Sequence, residues 1–297
     1  MIKMRHNCNI KLNLKEIAYL FVNRLPRLFI GRFISHNLIK LHWGRNLNNF
    51  GDCLQPYIAR YYGLLPVYVS TTLKADIIMQ GSILQLINSD YSGYILGTGG
   101  DDFKYSFPKA NVIAVRGQLT KENIKKSRND PHNIILGDLG LLMANVFPSI
   151  EEKKYELGIV LHFVDQNSPI EKNYRHNFNN NVLFINVLKS PEIVIRQIKQ
   201  CKNIISSSLH GLIIADCFGI PNIRIVNRDT MPTHFYDYKF EDYYSSLEVE
   251  ADFIDVNGSE SIGYLINRCK IRNPQKVKDL IVGLDNAMKD LTTKFKK

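Results

Sequence analysis

Apolar positions in this chain come in short runs broken by polar, glycine-bearing turns. From Cys53 to Tyr62 they recur at helical spacing, behind the turn residues Asn48, Asn49, Gly51 and Asp52, and Gly63 ends the run. Short apolar strands are predicted at Pro66–Val69, Asp76–Met79, Tyr94–Leu96, Val112–Val115 and Asn133–Leu136. Most stop at a glycine or polar turn: Gly81-Ser82, Gly97 to Gly100, Arg116-Gly117 and Gly137-Asp138. Strands alternating with helices, with glycine at the strand ends, predict a parallel sheet with its ligand loops along one edge.

A charged, proline-containing break at Pro148–Glu156 reads as a linker. A second alternation follows. Its strands are Leu157–Phe163 and Val182–Val187, with an asparagine-rich loop, Asp165–Asn181, between them. The helix Pro191–Lys199 is headed by Ser190, and a closing helix is predicted near Ser259–Cys269 and another over Pro274–Lys296. The fold class is α/β, with two Rossmann-like domains facing a cleft, at 42–150 and 151–297, behind a basic amphipathic segment at 1–41.

The most informative stretch is Asn203 to Asn227. A strand (Asn203–Ile205) meets three serines, then Leu209-His210-Gly211, an apolar helix (Leu212–Phe218), the breakers Gly219 and Pro221, and a strand (Asn222–Val226). This is a βαβ unit. Its polar turn lies where a strand's carboxyl end meets a helix start, and free N–H groups and the helix dipole favour an anion there. Ser206, Ser207, Ser208 and His210 suit an anion site with a proton donor. They equally suit a helix cap and a histidine bonded to backbone.

The 297 residues carry 38 basic and 28 acidic side chains, a formal charge of +10. That excess suits anionic small substrates, or an anionic membrane surface, better than nucleic acid, for which no zinc finger, aromatic RNA-binding strand or GXXG loop is present. Residues 16–41 interleave Leu, Phe and Ile with Arg24, Arg27, Arg32 and Lys40, as expected either of a peripheral contact with a membrane or of a helix docked on the protein. No apolar run is long enough to span a bilayer, and the opening residues lack the pattern of a secretory signal. A cytoplasmic protein, peripheral on the inner face of the membrane, is expected. The five cysteines form no CxxC pair and no zinc spacing, so free thiols and no bound metal are expected. The Gly97–Gly100 run has the wrong spacing for a dinucleotide fingerprint.

Several segments together resemble the polysaccharide pyruvyl transferase family. In chain order they are Asn49-Phe-Gly-Asp-Cys-Leu54, Gly81-Ser-Ile-Leu84, Gly97-Thr-Gly99, Ala114-Val-Arg-Gly117 through Thr120, Gly137-Asp138 with Leu141-Leu142, Leu161-His162, and Ser206 to Pro221. The resemblance covers roughly residues 42–245. It implies a fold resembling the two-domain GT-B glycosyltransferases. It also implies transfer of the pyruvyl group of phosphoenolpyruvate onto two hydroxyls of a sugar, making a cyclic ketal on a cell-surface polysaccharide or its lipid-linked precursor. The donor is a substrate, and no cofactor is implied. Homologues acting as GT-B-like glycosyltransferases on nucleotide sugars are the alternative. Ser208 stands where some members carry an arginine before the Leu-His pair.

That chemistry needs two anion holds and one acid. His210 is the candidate acid, and Asp52 the candidate base or else a helix cap. Ser207, Ser208 and Leu209 would hold one anion at the helix start, and the planar fork of Arg116 the other, unless it serves a surface salt bridge. Gly99, Asn49, His162 and Lys239 complete the substrate-binding set. Asp138 reads, like Asp52, as a candidate base or acceptor-binding group, or as a turn former. The segment His234–Tyr244, dense in tyrosines and carboxylates, suits sugar stacking or core packing.

Overall fold

The computed structural model describes residues 37–44, 49–230 and 233–295, with backbone only for 233–236. Two parallel sheets organise the chain. The first runs β2-β1-β3-β4-β6-β8, built from β1 (Leu38–Leu41), β2 (Leu65–Tyr68), β3 (Ile77–Met79), β4 (Tyr94–Thr98), β6 (Asn111–Val115) and β8 (Ile135–Leu136). A small pair, β5 (Tyr105–Phe107) and β7 (Ile124–Ser127), flanks it. The second runs β10-β9-β11-β12-β13, from β9 (Tyr155–Leu161), β10 (Val182–Asn186), β11 (Cys201–Ser206), β12 (Asn222–Val226) and β13 (Phe253–Asp255).

In each sheet the chain first builds outward on one side, then crosses back and continues on the other. The order therefore reverses between β1 and β3, and again between β9 and β11. Helices cover the faces: α1 (Gln55–Tyr61), α2 (Gln118–Asn123), α3 (Met143–Val146), α4 (Pro169–Asn177), α5 (Pro191–Lys199), α6 (Leu209–Cys217), α7 (Thr233–Ser246), α8 (Ile262–Arg268) and α9 (Pro274–Thr293). One hydrophobic cluster joins the halves. It takes Ile39, Phe50, Leu139 and Leu142 from the first, and Val160, Leu209, Ile213 and Leu284 from the second. Burying each such side chain contributes roughly 1.5–3 kcal/mol, so this shared core holds the two sheets together.

Several expectations are corrected. The predicted loop Asp165–Asn181 holds α4, because Ser168 caps Glu171 N–H and Pro169 opens the helix. Leu38–Leu41, the end of the expected membrane-surface segment, is β1, flanked on both sides. The rest of that segment lies outside the described residues. The tyrosine-rich stretch forms α7, whose Phe240, Tyr243 and Tyr244 are packed in the core instead of standing ready to stack a sugar. Helix α9, expected to close the second half, lies against the first: Leu284 meets Gly137, and Asp285 accepts from Tyr62 Oη at 2.6 Å. Where an open cleft was expected, the described residues between the sheets pack closely, with Phe50 N–H donating to Val187 O at 2.8 Å.

Candidate active site

The two points of strand-order reversal face each other, and the polar residues meet there. In the first half, Asp52 lies between the turns that follow β1 and β3. Its carboxylate is 3.1 Å from where a Cβ on Gly44 would stand and 3.7 Å from the same point on Gly81. Asn49 Nδ2 donates to it at 3.3 Å. Gln80 Nε2 donates to Gly51 O, fixing the turn that carries Asp52.

In the second half, the Ser206 and Ser207 hydroxyls hold the turn together. Ser206 Oγ bonds Val160 O at 2.8 Å and receives Ser208 N–H at 3.0 Å, which closes the strand-to-helix turn. Ser207 Oγ donates to Asp165 Oδ2 and receives His162 N–H at 2.9 Å, tying β9 to β11 at the reversal point. The Ser207 hydroxyl is thus committed, contrary to its expected role as an anion donor. Ser208 is the N-cap residue of α6 but makes no side-chain cap bond, and Leu209 points into the core. The helix begins three residues earlier than predicted, so His210 falls in its first turn.

His210 is pressed against the opposite half. A Cβ on Gly51 would come within 2.2 Å of its Nδ1, so only glycine permits this approach. Phe50 meets the imidazole edge-on at 6.3 Å between centroids. Nε2 is buried, has no hydrogen-bond partner, and faces Asp138 Oδ1 at 3.9 Å. Burial lowers the His210 pKa to about 4, with Asp52 opposing and Arg116 and Lys239 assisting. Burial raises Asp138 to about 6, against the Gly140 N–H that it accepts at 2.8 Å. Asp52 is also raised by burial, against His210, Asn49 and Lys239. The imidazole is therefore neutral near pH 7.

Arg116 is wholly buried between the halves. Nε donates to Asp242 Oδ2 at 3.0 Å and Nη1 to Ser82 Oγ at 2.7 Å, while Nη2 is buried with no partner. The guanidinium lies on Gly99, where a Cβ would be 2.2 Å from Cζ. Lys239, on α7, is buried beside it. Burial, then Arg116 and Arg224, lower its pKa to about 7, while Asp52 and Asp165 raise it. His162 is lowered to about 3 by burial, Lys239 and His210. Arg224 adds charge from β12, held over Phe240 at 3.9 Å.

The family model for polysaccharide pyruvyl transferase matches residues 13–230. The chain belongs to the polysaccharide pyruvyl transferase family. An uncharacterized protein of Acanthamoeba polyphaga mimivirus is 32% identical over 172 residues, 56% of this chain and 58% of that protein. The chain thus spans a little over half the length of this relative. Solved structures with similar coordinates include an uncharacterized protein of Klebsiella pneumoniae, at TM-score 0.41 and 15% identity over 77% of this chain and 97% of that one. Two UDP-GlcNAc 2-epimerase structures also match. The one from Methanocaldococcus jannaschii has TM-score 0.41 and 13% identity over 84% of this chain and 99% of that one. The putative one from Listeria monocytogenes has TM-score 0.40 and 10% identity over 86% and 90%.

Within this pyruvyl transferase family member, His210, Asp52, Arg116, His162, Asn49 and Lys239 come together from both halves. Gly99 contributes differently from expectation: its N–H donates to Gly81 O at 2.8 Å, and its bare Cα seats Arg116. Asp138 forms the turn, accepting Gly140 N–H, and its Oδ1 also lies 3.9 Å from His210 Nε2. Asp242, Ser82, Asp165 and Arg224 escaped sequence reasoning. The signals for Ser82 were its place after a strand-end glycine and within the Gly81-Ser-Ile-Leu84 segment of the resemblance. Among the described residues, no group of three His, Cys, Asp or Glu is placed to hold a metal ion, and no helix is long and apolar enough to cross a membrane.

Proposed function

We propose that this chain moves the pyruvyl group of phosphoenolpyruvate onto two hydroxyls of a sugar, in a cell-surface polysaccharide or its lipid-linked precursor. The products are a cyclic ketal and inorganic phosphate. The observation that carries this reading is the family match over residues 13–230, which takes in every site residue except those of α7.

The geometry supports it as follows. Arg116 Nη2 and the Lys239 ammonium supply positive charge for the donor's carboxylate and phosphate. His210 is neutral when the site is empty, because burial penalises its charge. A polyanionic donor reverses that penalty, so the imidazole takes up a proton as the donor binds. It passes that proton to the methylene carbon, leaving a positive centre on the adjacent carbon. A sugar hydroxyl attacks this centre and loses its proton to Asp52, whose burial-raised pKa suits a base. The bond to phosphate breaks, and the second hydroxyl closes the ketal as its proton passes to the departing phosphate. In this reading the basic segment at 16–36 holds the enzyme on an anionic membrane surface, where a lipid-linked acceptor is met.

Incubation with phosphoenolpyruvate and sugar acceptors should release phosphate only when both are present, with a new ketal methyl resonance in the product. Nucleotide release from a sugar nucleotide, with no phosphoenolpyruvate-dependent phosphate, would reject the proposal in favour of a glycosyltransferase.

A further inference from the structure

We infer that Asp242 is a positioning residue that holds the Arg116 guanidinium so that a single nitrogen, Nη2, is offered to an anion. This inference rests on the donor-binding role of Arg116 proposed above and extends it to the opposite half of the chain.

The Asp242 carboxylate is fully buried, and both its oxygens are hydrogen-bonded. Oδ2 accepts Arg116 Nε at 3.0 Å and Thr120 Oγ1 at 2.7 Å, and Oδ1 accepts Thr120 N–H at 2.8 Å. On the far edge of the guanidinium, Ser82 Oγ takes Nη1 at 2.7 Å, and the plane rests on Gly99. Two edges and one face are thereby fixed, so the fork can neither rotate nor withdraw. A buried arginine paired with a carboxylate is frequently held by two parallel bonds across its fork. Here the carboxylate takes Nε, spends its other oxygen on a backbone N–H, and leaves Nη2 buried without a partner. Leaving a buried charged donor unpaired is costly for folding and useful for binding.

The device spans the halves. Asp242 lies on α7, three residues after Lys239 and on the same helix face. The α7 backbone touches the Arg116 turn directly, since a Cβ on Gly117 would come within 1.6 Å of Asp242 O. A second tie runs from Gln118 N–H to Ser245 Oγ at 2.8 Å. One helix thus sets both the buried lysine and the arginine.

The test is calorimetric binding of phosphoenolpyruvate, and of inorganic phosphate, to the full chain, together with steady-state turnover and thermal midpoints. Asp242→Asn should weaken phosphoenolpyruvate binding about 10–100-fold, with kcat at saturating donor changed by less than about threefold. Arg116→Met should weaken binding at least as much. The double variant should bind no worse than Arg116→Met, since Asp242 acts through Arg116. It should also melt above Asp242→Asn, because the unbalanced buried guanidinium is gone. Thr120→Val keeps both charges, loses one bond to the carboxylate and should cost about 2–5-fold in affinity. Undiminished binding by Asp242→Asn, or additive losses in the double variant, would overturn the positioning role alone. Failure of the unsubstituted chain to bind either anion would overturn it together with the donor-binding role of Arg116.

Discussion

His210 enters its site without a charge, and its acid–base behaviour follows from that. If it is the acid proposed above, its pKa of about 4 means that it must take up a proton from solution as the donor binds. At pH 7, binding of phosphoenolpyruvate should therefore take up protons, at His210 and in part at Lys239, whose pKa of about 7 leaves it incompletely charged. The uptake is visible as a binding enthalpy that changes with the ionisation heat of the buffer, and changes less in His210→Ala. A heat independent of buffer would remove this route. His210→Ala should lower turnover about 10²–10⁴-fold with little change in donor affinity, the pattern of a group that acts mainly in the transition state. Asp138 has the opposite sign. Its folded pKa of about 6 exceeds the ordinary 3.8, so the folded chain holds its proton longer than the unfolded chain. Stability attributable to Asp138 is present below pH 3.8 and is lost as pH rises to about 6. Asp138→Asn keeps the bond from Gly140 N–H and cannot ionise. Its stability relative to the unsubstituted chain should climb between pH 4 and 6 and level off above, in urea melts across that range. A difference flat with pH would show that the carboxyl ionises freely. None of this could be read from spacing. The histidine was legible as a helix-start residue, but its pKa is set by burial against the other half and by Asp52, Arg116 and Lys239, which are far off in sequence.

At the scale of the element, what the sequence revealed was local. The unit from Asn203 to Val226 was readable because strand, turn, helix and strand all signal within a few residues: an apolar run, a serine cap, and Gly219 with Pro221 as breakers. Helix α4 was missed, since only Ile170 and Tyr174 are apolar and buried among its polar residues. Its capping signal was in plain view: Ser168 receives Glu171 N–H, and Glu171 Oε2 receives Asn167 N–H. Strand β1 was misread because Leu38-Ile-Lys-Leu41 follows a basic apolar stretch, and only its pairing with β2 and β3 marks it as central. Glycines separate tertiary from local demand. Gly117→Ala would drive a methyl into the α7 backbone and should cost about 3 kcal/mol. Gly283→Ala, in the interior of α9, meets only Ile135 at an ordinary 3.6 Å and should gain about 1 kcal/mol. Equal effects from the two in chemical denaturation would count against the close approach at Gly117.

For the whole molecule, the shared cluster through Phe50, Leu139, Val160, Leu209 and Leu284 means that neither sheet has a core of its own on the site side. Heat should unfold both halves together. A scanning calorimetry trace should show one peak, and two resolved peaks would indicate halves that stand alone. The alternation of strands and helices announced an α/β molecule from the sequence alone. The return of α9 to the first sheet was hidden, because an amphipathic helix says that it has a partner and not which one.

That return sets an order of events on the ribosome. Leu139 and Gly137 are made well before Leu284 and Asp285, which complete the surroundings of Gly137 and Tyr62. At ~5–20 residues per second, the first sheet waits on the order of ten to thirty seconds for its covering helix. During that interval its apolar face is open to whatever else is nearby, so the nascent chain is more prone to aggregate than the finished protein.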